Sequence, residues 1–247
     1  MEEFPRAGFR TIAYDHRGHG KSVVGREGHS IENLVTDLRT VLDELDLRGA
    51  VLVGHSMGGV AVQAFAARFP EAAAERVAGI VLVSSLAKTP LGSHSTRAKA
   101  RIERLTKRTP DMSWVWNSPN LGLMLARIGF GRDPQPSHVE LVRQMLLECP
   151  PETRLDAPRS LIGLDLTADL PSIRMPTLVI VGTADLLTPP AQARLIAGLI
   201  PGARLEVFPD GGHMLMLERT EPLDRMIIDF AREVGAAAVE HSEPLAR

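Results

Sequence analysis

The hydrophobic residues of this 247-residue chain form two kinds of pattern, one typical of buried strands and one typical of helices. Uninterrupted apolar runs occur at 50–53, 77–83 and 177–181. Such runs predict strands of a parallel sheet, because strands covered on both faces need no polar side. Two further five-residue segments, 10–14 and 204–208, are also predicted to be strands.

Between the strands, apolar residues recur at intervals of three and four, which places them on one face of a helix. One such helix follows Ser30, a residue type that caps helix N-termini. Its apolar face comprises Ile31, Leu34, Val35, Leu38, Val41, Leu42 and Leu45. Further helices are predicted at 60–68 and 191–200. The last helix has Pro222 in its first turn and an inward face of Leu223, Met226, Ile227 and Phe230.

Strands and helices alternate on both sides of a long middle segment that has no convincing strand pattern. From residue 86 to 171 the chain shows helical patterns broken by proline and glycine. The sequence therefore predicts an α/β fold, with a core formed by 1–85 and 172–247 and an inserted helical cap at 86–171.

Composition narrows the class of protein without indicating a reaction. The net charge is −2, from 28 basic and 30 acidic residues, so nothing favours binding to nucleic acid. No apolar stretch approaches membrane-spanning length, and no signal-peptide pattern opens the chain. Cys149 is the single cysteine, which excludes an internal disulfide. We expect a soluble, cytoplasmic protein, and the oligomeric state stays open.

The most informative motif is Gly-x-Ser-x-Gly at residues 54–58, centred on Ser56. It joins a predicted buried strand to a predicted helix, which is the context that a nucleophile elbow requires. Glycines on either side keep side chains from colliding where the strand turns into the helix. The serine hydroxyl would then stand clear of the sheet, and the Met57 amide at the helix start could face a developing oxyanion.

A serine nucleophile needs a base and an acid that orients the base, and two polar residues follow predicted strands. Asp185 comes after the strand at 177–181, and His213 comes after the strand ending at residue 208. Ligand sites in open α/β sheets lie at the carboxyl ends of strands. Asp210 and Asp169 compete for the acid role. Asp210 is close to His213 in sequence, and Asp169 precedes its strand, so Asp185 is preferred.

The chain order serine, aspartate, histidine is that of α/β-hydrolases. The segments 14–22, 52–59, 182–189 and 212–213 together resemble that superfamily, and more closely its capped esterase, lipase and cofactor-free peroxidase-like members. This resemblance implies that Ser56 attacks a carbonyl, His213 carries the proton and Asp185 holds the imidazole. It also implies a Met57 amide in the oxyanion hole and neither a metal nor an organic cofactor.

We therefore expect hydrolysis of a small carboxylic ester or thioester through an acyl-serine intermediate, with a small-molecule ester as the substrate. Two alternatives stay open: a cofactor-free perhydrolase or haloperoxidase-like enzyme, and a non-catalytic relative that binds a ligand. An epoxide or haloalkane hydrolase is disfavoured, because those relatives place aspartate where this chain has Ser56. The cap would set the acyl and alcohol specificity, which the sequence leaves undetermined.

Three other clusters have structural explanations that we prefer. Histidines that could suggest a metal site are His16, His19 and His55, but no carboxylate or cysteine cluster completes a ligand set. A stripe interpreted as a solvated helix face comprises Arg97, Arg101, Arg104 and Arg108. Aromatic residues interpreted as packing within the cap are Trp114 and Trp116.

One family feature is missing from the sequence. Family members carry an earlier strand ending in His-Gly or similar, and the loop after it donates the second oxyanion N–H. A strand-plus-helix unit needs about thirty residues, and there is no room for one before Phe9. We expect a shortened start to the chain and a gap in the sheet between the strands at 10–14 and 50–53. Coding DNA upstream of Met1 would test this expectation.

Overall fold

The computed structural model describes residues 3–89 and 113–241. At its centre lie four parallel strands in the order in which they occur along the chain. They are β1 (Ala50–His55), β2 (Val77–Val83), β3 (Thr177–Gly182) and β4 (Arg204–Phe208). The predictions of β2 and β4 are confirmed residue for residue, and β1 and β3 extend slightly beyond the predicted runs.

The prediction of a strand at 10–14 is wrong. These residues have no regular secondary structure, and all five are exposed. A strand is stable only when a neighbour accepts its backbone hydrogen bonds. Among the described strands, β1 pairs only with β2, so β1 forms an edge of the sheet. The edge position also leaves Val53 half exposed, at 50%, although its apolar run predicted a buried strand.

Helices surround the sheet. They are α1 (Glu3–Arg6), α2 (Ile31–Glu44), α3 (Met57–Arg68), α4 (Pro70–Arg76), α5 (Ser113–Asn117), α6 (Pro119–Arg127), α7 (Pro136–Glu148), α8 (Pro151–Arg159), α9 (Pro190–Leu199), α10 (Leu215–Glu218) and α11 (Thr220–His241). As predicted, Ser30 caps α2, and its hydroxyl accepts the Asn33 backbone N–H at 3.1 Å. Within the described ranges, no helix is both long and apolar enough to cross a membrane.

Side chains of the two central strands alternate between two hydrophobic clusters. Ile80 and Leu82 of β2 pack in one cluster with α2, α3 and α9, whereas Val81 and Val83 pack in the other with α11. Residues of β3 divide in the same way. Because strand side chains point alternately to opposite faces, this division places helices on both faces of the sheet. The predicted class, a parallel sheet flanked by helices, is confirmed.

The described part of the segment between β2 and β3 is mainly helical. It contains α5 to α8 and a short 3₁₀ turn, Leu170–Ser172. Its described residues form no strand, only an isolated bridge between Lys88 and Asp165. The arginine stripe of 97–108 lies outside the described residues. Trp114 is 63% exposed, so the prediction that it packs inside the segment is wrong.

Candidate active site

Ser56 occupies the turn between β1 and α3 in a backbone conformation that serine rarely adopts. Its φ is 51° and its ψ is −119°. Such left-handed geometry is strained for a residue with a Cβ, and it persists only where the surroundings enforce it. The Ser56 N–H donates to the Val83 carbonyl at 3.0 Å, and the Ser85 hydroxyl donates to the Ser56 carbonyl at 3.0 Å. Both contacts fix the turn against the end of β2.

Support for this turn continues into the core through a residue that the sequence analysis missed. Gln63 of α3 is fully buried, and its side-chain amide donates to the Ser85 hydroxyl at 3.0 Å. The same amide donates to the Gly59 carbonyl at 3.1 Å. A polar residue inside an otherwise apolar helix is the only sequence signal that marks Gln63. The elbow is thus held by a buried polar chain from α3.

Close packing at the elbow depends on a different glycine pair from the one predicted. A Cβ added to Gly54 would lie 2.6 Å from the Gly59 Cα, a distance that atoms in proteins do not tolerate. A Cβ on Gly58 would meet only the His16 Nε2, at 3.3 Å. Gly54 and Gly59 therefore allow β1 and α3 to touch, and Gly58 contributes less than the motif suggests.

We expect Gly54→Ala to lower the free energy of unfolding by about 1–3 kcal/mol or more, because the new methyl group overlaps backbone that cannot move freely. Urea denaturation of both proteins measures the change. Gly198→Ala is the matched control, since a Cβ at Gly198 in α9 meets no atom within 4 Å. That control should be neutral or stabilising by up to about 1 kcal/mol. Equal effects of the two substitutions would contradict the packing argument.

The Asp185 and His213 side chains meet in a buried pair at the carboxyl ends of the strands. The His213 Nδ1 lies 3.0 Å from the Asp185 Oδ2, and both side chains are almost completely buried. The other carboxylate oxygen accepts backbone N–H groups from Leu187 at 2.9 Å and Thr188 at 2.8 Å. The Thr188 hydroxyl donates to Oδ2 at 2.6 Å. Both oxygens of the Asp185 carboxylate therefore accept hydrogen bonds.

This environment keeps Asp185 ionised. Burial by itself would raise the pKa of Asp185, but the hydrogen bonds from His213 and Thr188 outweigh burial and hold that pKa below its ordinary value. An ionised carboxylate that faces Nδ1 of His213 holds the imidazole proton on Nδ1. The Nε2 atom of His213 is then free to accept a proton. The sequence prediction placed Asp185 beside His213, and the geometry agrees with it.

Ser56 is connected to this pair through its neighbour His55. No hydrogen bond joins the Ser56 hydroxyl to His213 in the described part of the chain. Instead, the His55 Nε2 lies 2.9 Å from the His213 carbonyl oxygen, and the two rings are 4.6 Å apart. Hydrogen bonds between catalytic groups are often long before substrate binds. Met57 is the first residue of α3, so its N–H has no partner within the helix and is available to a ligand.

The loop that carries His213 is held by the turn after α6. The His213 N–H donates to the Gly129 carbonyl at 2.9 Å. The Glu218 carboxylate accepts the backbone N–H groups of Gly131 at 2.8 Å and Gly212 at 3.1 Å. Gly131 and Gly212 approach so closely that neither has space for a Cβ. The inserted segment and the loop are therefore joined directly behind His213.

We expect Glu218→Ala to lower the free energy of unfolding by about 1–3 kcal/mol, because it leaves two backbone N–H groups without their acceptor. Glu218→Gln retains one acceptor oxygen and should lose less. Thermal or urea unfolding of the variants measures both effects. Glu44→Ala, at an exposed position near the end of α2, is the control and should change stability by no more than about 0.5 kcal/mol. A Glu218→Ala variant as stable as the control would rule out the bridge.

The competing candidates lie elsewhere. Asp210 is exposed, and its Oδ1 lies 3.6 Å from the Arg132 Nε. Asp169 lies in a turn before β3, where its N–H donates to the Leu166 carbonyl. His16 and His19 lie on the loop that precedes α2, and the described residues contain no group of three ligand-type side chains suited to a metal. Cys149 is buried beside the Gly18 carbonyl, and burial raises the pKa of its thiol, as expected for a packing residue rather than a nucleophile.

Known proteins match this chain over most of its length. The sequence model of the alpha/beta hydrolase family matches residues 2–226. A non-heme chloroperoxidase of Burkholderia pyrrocinia is 30% identical over 93% of this chain and 84% of its own. A bifunctional esterase/perhydrolase of Acinetobacter calcoaceticus is 26% identical over 93% of this chain and 84% of its own. Among solved structures, a thermophilic esterase of Thermogutta terrifontis is 29% identical with a TM-score of 0.70, and the match covers 90% of this chain and 79% of the esterase. The chain therefore belongs to the α/β hydrolase family.

Proposed function

We propose that this protein hydrolyses small carboxylic esters or thioesters, with Ser56 as the nucleophile, His213 as the base and Asp185 as the residue that orients the base. The observation that carries the proposal is the buried 3.0 Å contact between His213 Nδ1 and Asp185 Oδ2, to which the strained Ser56 is linked through the contact of its neighbour His55 with His213. Turn capping accounts for the Leu187 and Thr188 donors on Asp185, but it does not account for the buried contact with His213 or for the strained backbone of Ser56.

The proposed reaction assigns one role to each of these groups. His213 Nε2 accepts the Ser56 proton as the hydroxyl oxygen attacks the ester carbonyl, and Asp185 stabilises the imidazolium that forms. The Met57 N–H donates to the oxyanion of the tetrahedral intermediate. His213 returns the proton to the leaving alcohol or thiol, which leaves an acyl group on Ser56. Water, deprotonated by the same imidazole, attacks the acyl group and regenerates the serine.

Relatives support ester chemistry at the level of class. Those matched include esterases and haloperoxidases, and the bifunctional relative is named for both esterase and perhydrolase activities. We propose that the segment 86–171 is a cap that limits the size of the acyl group, because its turn at Gly129 contacts the His213 backbone. We propose short acyl chains first, with acyl length as the variable to measure.

A panel of p-nitrophenyl esters, from acetate to octanoate, tests the proposal. The purified protein should release p-nitrophenol from at least one short ester above the rate of buffer, with saturation kinetics. A folded protein that accelerates none of these esters, and none of the matching thioesters, would overturn the proposed function.

A second candidate, perhydrolysis, is favoured by the chloroperoxidase and esterase/perhydrolase relatives. Here hydrogen peroxide replaces water in the second step and attacks the acyl-Ser56 carbonyl, so that a peracid leaves and the serine is restored. The peracid, not the protein, would oxidise a halide. Incubation with acetate, hydrogen peroxide and bromide should brominate a dye if this activity is present. Bromination that persists in Ser56→Ala would exclude this route.

A further inference from the structure

His55 lies between the two halves of the proposed site. It is the last residue of β1 and immediately precedes Ser56, yet its side chain reaches a residue 158 positions away in sequence. The Nε2 atom is 2.9 Å from the His213 carbonyl oxygen, and the ring centroids are 4.6 Å apart with the planes inclined at 54°. One side chain thus connects the elbow directly to the backbone of the base.

The chemistry of this contact fixes the protonation of His55. A carbonyl oxygen can only accept, so the Nε2 of His55 must carry the proton and donate it. Burial is the main reason that the pKa of His55 is lowered to about 4, and the neighbouring His213 ring contributes to this lowering. His55 is therefore neutral near pH 7. A neutral ring in this position places no like charge beside the imidazolium that forms on His213 during the reaction.

His213 is held on both sides of its peptide backbone. Its N–H donates to the Gly129 carbonyl at 2.9 Å, and its carbonyl accepts from His55. Asp185 fixes the rotation of the ring, whereas the two backbone contacts fix the position of the loop that carries it. The contact from His55 fixes the position of the loop relative to the nucleophile, because His55 and Ser56 are adjacent in the chain.

We infer that His55 is a positioning residue, which sets the separation of the Ser56 hydroxyl and the His213 imidazole through its hydrogen bond to the His213 carbonyl. This inference rests on the proposed function of Ser56 and His213. His55 itself transfers no proton. Its loss lets the His213 loop relax away from the elbow, and a displacement of about 1 Å can cost about 10²-fold in rate.

Three variants and one control test the inference. His55→Leu removes the donor, His55→Gln keeps an N–H at the end of a side chain of similar reach, and His55→Asn keeps the amide but shortens the reach. His138→Leu is the matched control, since the described residues give its side chain no hydrogen bond to the site. Ester hydrolysis yields kcat and KM, and thermal unfolding verifies that each variant is folded.

We expect kcat to fall about 10–100-fold in His55→Leu and His55→Asn, with KM changed less than threefold. His55→Gln should recover at least a third of wild-type kcat, and His138→Leu should match the wild type. The midpoint of the kcat/KM pH profile should stay within about 0.3 pH units of wild type in every variant, because a neutral ring is removed. The rate of fluorophosphonate labelling at Ser56 should follow kcat.

Several results would overturn the inference. The first is an unchanged kcat in a folded His55→Leu variant, and the second is a kcat in His55→Gln no higher than in His55→Leu. The third is a pH midpoint displaced by a full unit, which would assign proton transfer to His55. If His55→Leu does not fold, the comparison of the Gln and Asn variants decides. A wild-type protein that neither hydrolyses esters nor labels at Ser56 fails at the proposed function, and the inference about His55 falls with it.

Discussion

Replacement of Ser56 by alanine should reduce kcat for ester hydrolysis by about 10⁴–10⁶, the largest effect that we expect from any single substitution. The hydroxyl oxygen forms the covalent bond to the acyl group, and no neighbouring side chain can take over that bond without rebuilding the elbow. Fold and stability should change little, because the contacts that hold the turn use the Ser56 backbone. Steady-state kinetics at saturating ester measure the loss.

The control for this substitution is Ser137→Ala, at an exposed position in the first turn of α7. It should retain the wild-type kcat. If Ser56→Ala hydrolysed esters at more than about a hundredth of the wild-type rate in a preparation free of contaminating esterase, Ser56 would not be the nucleophile.

The second large effect is expected for Asp185→Asn, which should lower kcat about 10⁴-fold at neutral pH. All groups around the carboxylate are donors, so the new amide NH₂ must face either the Leu187 and Thr188 N–H groups or the His213 ring. When the NH₂ faces the ring, it donates to Nδ1 and moves the imidazole proton to Nε2. The imidazole then has no lone pair for the serine proton.

Asp210→Asn is the control, because Asp210 was the competing candidate and its exposed side chain faces Arg132. It should keep near wild-type activity. If Asp210→Asn lost as much activity as Asp185→Asn, or if Asp185→Asn were fully active, the assignment of the acid would be wrong.

The same Asp185 variant should change how stability depends on pH. Because the pKa of Asp185 in the folded protein lies below its ordinary value of 3.8, the ionised carboxylate contributes stability that is fully present above that value. This contribution is lost as the pH falls through the lower folded pKa. The difference in unfolding free energy between the wild type and Asp185→Asn should therefore shrink in acid, which urea titrations at several pH values can measure.

The sequence predicted those features that depend on local pattern. Continuous apolar runs located β2 and β4, and glycines around a serine located the elbow between β1 and α3. The meeting of Asp185 and His213 was also predictable, since both follow strands of one parallel sheet and carboxyl ends of such strands share an edge. The pairing of these two residues with Ser56 rests on chain order and stays a prediction.

Features that depend on partners distant in the chain were not predictable. The segment 10–14 was predicted to be a strand from its local pattern alone, although the gap expected beside the strand at 50–53 already removed the neighbour that such a strand needs. The contact of His55 with His213 joins residues 158 apart, and nothing in the spacing of either marks it. Glu218 was likewise missed, because the groups that donate to its carboxylate are backbone N–H groups of glycines. The motif suggested Gly58, whereas packing selected Gly59.

The most direct test of the central claim is the site of covalent labelling by a fluorophosphonate, located by mass spectrometry of proteolytic peptides. An activated serine should acquire one phosphonyl group on the peptide that contains Ser56, within minutes at neutral pH. Labelling should be lost in Ser56→Ala and strongly slowed in Asp185→Asn. A folded protein that stays unmodified under these conditions, or one labelled at another residue, would contradict the account and favour a non-catalytic ligand-binding protein.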